Sequence, residues 1–142
     1  MFIKQLSLFV ENRPCALSAV CNVLKEKQIN IRTLSLADTS NFGILRLLIQ
    51  NYEAAKSALE AAGFIVKVTD VVALLVPDRA GGMADVLAIL DKHGISVEYI
   101  YAFSYGAKGQ AAIVCRFDDQ ESAMAKLAGE PVQFVTSGEL FA

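Results

Sequence analysis

The chain states one pattern twice. Residues 10–34 align without a gap on residues 76–100, so that Leu17, Val20, Val23 and Leu24 fall on Met83, Val86, Ile89 and Leu90. Farther on, Ile29, Ile31 and Leu34 fall on Ile95, Val97 and Ile100. Position 17 meets 83, 24 meets 90 and 31 meets 97, a constant offset of 66 residues. Helical and propeller arrays repeat roughly every 20–50 residues. This period is too long for one of their units and long enough for a small α/β domain. Two copies of one domain are therefore expected, over residues 1–68 and 69–142.

A half of about 70 residues is near the size at which a lone core is only marginally stable. The halves are thus expected to pack on each other or on a second chain. A hydrophobic content of 54% is high for a globular protein. Together with Val71–Val76, apolar on both faces of a strand, it points to covered surfaces and to a homodimer. The net charge is −2 and basic residues never cluster beyond pairs, which argues against nucleic acid or an anionic membrane as the main partner. No apolar run approaches the ~20 residues of a membrane span. The first residues, Met1-Phe2-Ile3-Lys4, enter a strand pattern at once, so a cytoplasmic protein is expected. Three cysteines form neither a CxxC nor an even framework; no disulfide scaffold, metal site or cofactor follows from them.

Periodicity supplies the elements. Residues 3–10 alternate, with Leu6, Leu8 and Val10 on one face, as a half-buried strand does. From about Pro14 to Lys27, Leu17, Val20, Cys21 and Leu24 share one helix face, which places Cys21 in the core. Residues 29–36 and 42–49 read as strands, 52–62 as a helix capped by Gly63, and 64–68 as a strand. The second half repeats the order: a strand at 71–76, a loop at 77–82 and a helix at 83–93 that stops at Gly94. Strands at 97–103 and 110–117 flank a turn at Gly106 and Gly109; a helix opened by Asp118 or Asp119 runs to Leu127, and a strand at 132–136 ends the copy. The fold class is α+β: βαββαβ twice, two tandem ferredoxin-like domains, each an antiparallel four-stranded sheet with two helices on one face.

The turn from first strand to first helix is the most informative local feature. It reads Asn12-Arg13-Pro14-Cys15-Ala16-Leu17 in one copy and Asp78-Arg79-Ala80-Gly81-Gly82-Met83 in the other. Asn or Asp there is suited to capping exposed amides or to a local hydrogen bond. The helix start offers N–H groups and positive dipole to a carboxylate or phosphate. An ordinary strand-to-helix turn explains either copy taken alone.

Both copies resemble the Asp/Asn-x-Pro-Gly-x-Leu signature of ACT domains, ligand-sensing modules of amino-acid metabolism. The resemblance extends to the element order, the Leu/Val spacing of the first helix, and the Ile-Asn-Ile and Ile-Ser-Val runs at 29–31 and 95–97. It implies a non-enzymatic regulatory protein that binds a free amino acid through this loop, at an interface between two domains. By position the role falls on Asn12, Arg13, Pro14, Cys15, Ala16 and Leu17, and on Asp78, Arg79, Ala80, Gly81, Gly82 and Met83. Each copy departs from the signature once: Cys15 stands where glycine is usual, and Ala80 where proline is usual. Glycine allows close approach and positive φ, so the second loop is expected to stay open and the first to be narrowed. With few charges beyond Arg13, Arg79 and Asp78, a neutral or weakly polar amino acid is favoured over an acidic one. The alternative is a ligand-free interaction module that regulates an enzyme of amino-acid metabolism.

None of the reactive side chains carries a sign of catalysis. Cys15 has no histidine or other base near it in sequence, and Cys115 shares a strand face with Ile113 and Phe117. His93, the only histidine, sits where a helix C-terminus favours a cation. Tyr99, Tyr101, Phe103 and Tyr105 alternate on one strand face, where the other copy has small residues such as Thr33 and Ala37. The stripe is read as a face covered by the other domain or a subunit, with a wall of the ligand pocket as the alternative.

Overall fold

The structure is a computed structural model that describes residues 2–38, 40–103 and 108–142. Tyr105 and Gly106 lie outside the described residues. The elements run β1 (Ile3–Glu11), α1 (Ala16–Glu26), β2 (Thr33–Asp38), β3 (Phe42–Leu48), α2 (Tyr52–Ala61), β4 (Val66–Pro77), α3 (Gly82–Lys92), β5 (Val97–Phe103), β6 (Gln110–Phe117), α4 (Gln120–Leu127), β7 (Phe134–Val135) and α5 (Ser137–Leu140). They group into two compact units, Lys4–Thr69 with Phe141, and Asp70–Leu140 with residues 2–3 and 142.

In the first unit the strand order is β2-β3-β1-β4. β1 pairs antiparallel with β3 so that Leu6 faces Leu47, Leu8 faces Leu45 and Val10 faces Gly43. Directly paired residues share a face, which puts Leu6, Leu8, Val10, Leu45 and Leu47 on one side of the sheet. There they pack with Val20 and Leu24 of α1 and Ala55 and Leu59 of α2. The second unit repeats the plan as β5-β6-β4-β7. Val72 faces Cys115 and Leu74 faces Ile113, and these pack with Val86 and Leu90 of α3 and Ala123 and Leu127 of α4. Each unit is thus a ferredoxin-like sheet with both helices on one face, as the repeat predicts.

Several local expectations shift. Strands expected at 64–68 and 71–76 form one strand, β4, and the unit boundary falls inside it at Thr69 and Asp70. Neither residue forbids extended backbone, and no glycine or proline separates the two runs. β2 begins at Thr33 rather than at residue 29, because Ile29 and Ile31 pack on the first core while the chain climbs from α1 to the sheet edge. Cys21 is half-buried and outside the core cluster: the buried line of α1 is Ala16, Val20 and Leu24, one turn apart, and Cys21 lies beside it. Cys115 is fully buried, and burial pushes its thiol up to about 12. Asp119, not Asp118, caps α4, accepting from the Ser122 N–H at 3.1 Å. Tyr99, Tyr101 and Phe103 pair with Arg116, Val114 and Ala112, on the sheet face opposite the helices, and each is half-buried. No helix among the described residues is long and apolar enough to cross a membrane.

The first helix of each unit is bracketed by left-handed residues. The non-glycine residues of positive φ among those described are Cys15 (φ 71) and Gln28 (φ 56). At the matching positions of the second unit stand Gly81 (φ 82) and Gly94 (φ 64). A side chain in this region clashes with the backbone, at a cost of about 1–2 kcal/mol, part of which glycine returns through its larger unfolded-state entropy. Gln28→Gly is therefore expected to stabilise the protein by about 0.5–1 kcal/mol and Gly94→Ala to destabilise it by a similar amount, read from urea unfolding midpoints.

Candidate functional site

Both strand-to-helix turns are built from the same hydrogen bonds. In the first, the Asn12 N–H donates to the Asn41 carbonyl (3.0 Å), Arg13 N–H to Glu11 (2.9 Å), Ala16 N–H to Arg13 (3.4 Å) and Ala19 N–H to Cys15 (3.0 Å). In the second, Asp78 N–H donates to the Gly109 carbonyl (3.0 Å), Arg79 N–H to Pro77 (2.9 Å), Gly82 N–H to Arg79 (3.0 Å) and Asp85 N–H to Gly81 (2.9 Å). The chain turns into the helix at one residue, Cys15 or Gly81, with ψ −8 in both. The anchoring carbonyls of Asn41 and Gly109 come from the hairpin beyond each turn, a role that no local pattern announces.

The turns differ where side chains meet backbone. A Cβ on Gly82 would stand 2.0 Å from the Pro77 carbonyl oxygen, so only glycine fits that turn. The first copy carries Ala16 there, and its closing bond is longer, 3.4 Å against 3.0 Å. A Cβ on Gly81 would meet only an Arg79 guanidinium nitrogen, at 3.7 Å, and the exposed Cys15 side chain occupies the corresponding space in the first turn. Position 80 retains an N–H donor, whereas Pro14 has none.

Neither Asn12 nor Asp78 caps its helix. The cap positions are Cys15 and Gly81, without a side-chain cap bond, and the amides of Leu17, Ser18, Met83 and Ala84 take no backbone carbonyl from outside their helices among the described residues. These are the donors that a helix start leaves open. Arg13 bonds to the Glu11 carboxylate and to the Pro14 carbonyl (3.5 Å). Arg79 bonds to Asp85 (2.7 Å) and to the Ala80 carbonyl (3.1 Å). Both ion pairs are exposed and contribute little to stability, but they occupy the guanidinium groups. What remains at the second turn is the Asp78 carboxylate, exposed and without a hydrogen bond among the described residues; the first turn has neutral Asn12 in its place.

Of the twelve candidate residues, Ala16 and Gly82 are buried at the helix starts, while Leu17 and Met83 pack against their cores. Asn12, Arg13, Pro14 and Cys15, and Asp78, Arg79, Ala80 and Gly81, are exposed. Among the described residues no group of three or more His, Cys, Asp or Glu side chains is placed to hold a metal ion.

A family model described as an ACT domain pair matches residues 1–142. Among solved structures, a protein from Bacteroides thetaiotaomicron is similar at 33% identity and a TM-score of 0.90, over 99% of this chain and 96% of that one. The ligand-free regulatory subunit of aspartate kinase from Thermus thermophilus matches at 14% identity and a TM-score of 0.62, over 88% of this chain and 90% of that one. The Thermus flavus regulatory subunit matches at 15% identity and a TM-score of 0.63, over 98% and 92%. At these identities the two regulatory subunits share the fold. No curated protein matches the chain.

The two turns predict opposite responses to substitution. Cys15→Gly relieves a left-handed side chain and is expected to stabilise by about 0.5–1 kcal/mol. Gly82→Ala forces a methyl group against the Pro77 carbonyl and is expected to cost about 1–3 kcal/mol, as overpacking does. Denaturant unfolding of the two variants reads both signs.

Proposed function

Because the chain belongs to the ACT domain pair family, we propose that it is a non-enzymatic regulatory protein that binds a free amino acid and reports its level. The observation that carries this reading is the pairing of two turns with the same hydrogen bonds, of which the second combines unobstructed glycine backbone with an uncommitted carboxylate. An α-amino acid needs donors for its carboxylate and an acceptor for its ammonium group. The Met83 and Ala84 amides supply donors at the positive end of α3, and Asp78 supplies the acceptor. Gly81 lets the ligand approach the backbone, with Arg79 and Ala80 forming the exposed rim. In the first turn Asn12, Arg13 and Pro14 offer less to a zwitterion, and Cys15 fills the approach.

The fold is shared with regulatory subunits of aspartate kinase, and an enzyme of amino-acid metabolism is the partner proposed for the output. The active form is proposed to be a homodimer in the cytoplasm. Sedimentation at micromolar concentration is expected to give twice the chain mass; a monomer would refute the dimer.

Thermal shift with each of the twenty amino acids tests the binding. A ligand at 100 times its Kd raises stability by about 2.7 kcal/mol, and a neutral or weakly polar amino acid is the expected hit. Gly81→Val is expected to abolish the shift while unfolding stays cooperative, Asp78→Asn to weaken it, and Cys15→Gly to leave it intact. Binding kept in Gly81→Val but lost in a Cys15 variant would move the site to the first turn. If the wild type binds no amino acid, a ligand-free interaction module takes its place.

A further inference from the structure

The two copies differ in a concerted way along the outer side of their second helices. Ala55 and Leu59, buried in α2, align with Ala123 and Leu127 of α4, and the cap Asn51 aligns with Asp119, a constant offset of 68 residues. On α2, Lys56 and Glu60 form an ion pair at 2.8 Å, the kind of pair that residues four apart make on an exposed helix face. The same positions of α4 hold Met124 and Ala128. Charge is exchanged the other way close by. Lys92 at the end of α3 stands where the first copy has Glu26, and Lys126 of α4 stands where it has Ala58. Apolar residues replace an ion pair, and two cations replace an acid and an alanine.

These exchanges meet at one groove. It lies between α4 and β7, has a volume of about 460 Å³, and is lined by Met124, Leu127, Ala128, Glu130, Val132 and Phe134 among others. Small-molecule sites usually measure roughly 300–1,000 Å³. Met124, Val132 and Phe134 are half-buried and packed against the core of the second unit, and Ala128 is exposed. The polar end of the groove is at Glu130. Its Oε1 accepts from Lys92 Nζ at 2.7 Å and lies 2.8 Å from His93 Nε2, while Lys126 Nζ donates to the His93 carbonyl at 3.3 Å. A lysine ammonium carries three N–H donors, so these bonds leave donors on both lysines. Two permanent cations against one carboxylate make this end net positive.

We infer that the groove is a second ligand site, for a small monocarboxylate with a branched or aromatic apolar tail and no amino group. The tail covers Met124, Ala128, Val132 and Phe134. The carboxylate meets Lys92 and Lys126, whose charge-assisted bonds are the stronger kind, and Lys92 already offsets the charge of Glu130. An α-amino acid would bring an ammonium group against the same two cations, and like charges repel. The groove and the second turn thus select different ligands, because the turn uses the amino group that the groove disfavours. The site stands independently of the amino-acid reading of that turn.

Amide chemical shifts, followed as isotope-labelled protein is titrated with 4-methylpentanoate or with leucine, test the site, since the two share one apolar tail. The acid is expected to move the amides of Met124, Ala128, Val132 and Phe134 to saturation, and leucine to bind there about tenfold more weakly. Met124→Lys with Ala128→Glu restores the ion pair of the first copy and is expected to abolish the response with the urea midpoint unchanged. Lys92→Gln with Lys126→Gln is expected to erase the preference for the acid over leucine. Amides of α4 and β7 that do not respond to the acid overturn the site. So does a response that survives Met124→Lys with Ala128→Glu, one that leucine matches in the wild type, or one confined to Gly81–Ala84. Amino-acid binding at the second turn is read separately by the thermal-shift panel.

Discussion

The reversal from strand into helix is the constraint on which the rest depends. For a helix to lie back over the sheet it has just left, the chain must turn within a few residues, and here it does so through one left-handed residue, Cys15 or Gly81. A second left-handed residue, Gln28 or Gly94, ends the same helix and sends the chain to the edge strand. Helix direction, the meeting of Val20 and Leu24 with Leu6 and Leu8, and the exposure of the loop all follow from these two reversals. The second unit meets the requirement with glycine at both places. The first meets it with side chains and carries the strain.

That asymmetry gives the two copies different chemistry on one backbone. Their turns share every backbone hydrogen bond described above, so the difference lies in what the side chains add. Cys15 and Ala16 fill space that Gly81 and Gly82 leave open, and Pro14 removes a donor that Ala80 keeps. Asn12 in place of Asp78 removes a charge. A strained residue persists where the surrounding structure over-determines it; at Cys15 the backbone bonds of the turn do so, and Gly81 meets the same geometry without a side chain.

Much of this was legible in the sequence because the signals were local and doubled. The 66-residue offset matched Val20 with Val86 and Leu24 with Leu90, and those pairs occupy equivalent places in the two cores. Where signals were weak or distant, they misled or were silent. A helical face at 3.6 residues per turn admits Cys21 at its margin, and the buried line through Ala16, Val20 and Leu24 leaves Cys21 beside the core. Polar residues four positions before the helices suggested caps, but the cap positions are Cys15 and Gly81, and neither helix start has a side-chain cap bond. The strand expected at 132–136 is found at Phe134–Val135 only, and the four-residue helix α5 carried too little pattern to place. The contact of His93 with Glu130 crosses 37 residues without any periodicity to announce it, and His93 was legible only as a cation at a helix end.

The claim that the second turn is the binding turn is tested most directly by mapping amide chemical shifts as amino acids are added to the isotope-labelled protein. The account predicts that the largest changes fall on Gly81, Gly82, Met83 and Ala84 and saturate, while Cys15, Ala16, Leu17 and Ser18 move little. Saturating changes centred on Cys15–Ser18 with a quiet second turn would contradict it, as would the absence of any change at either turn.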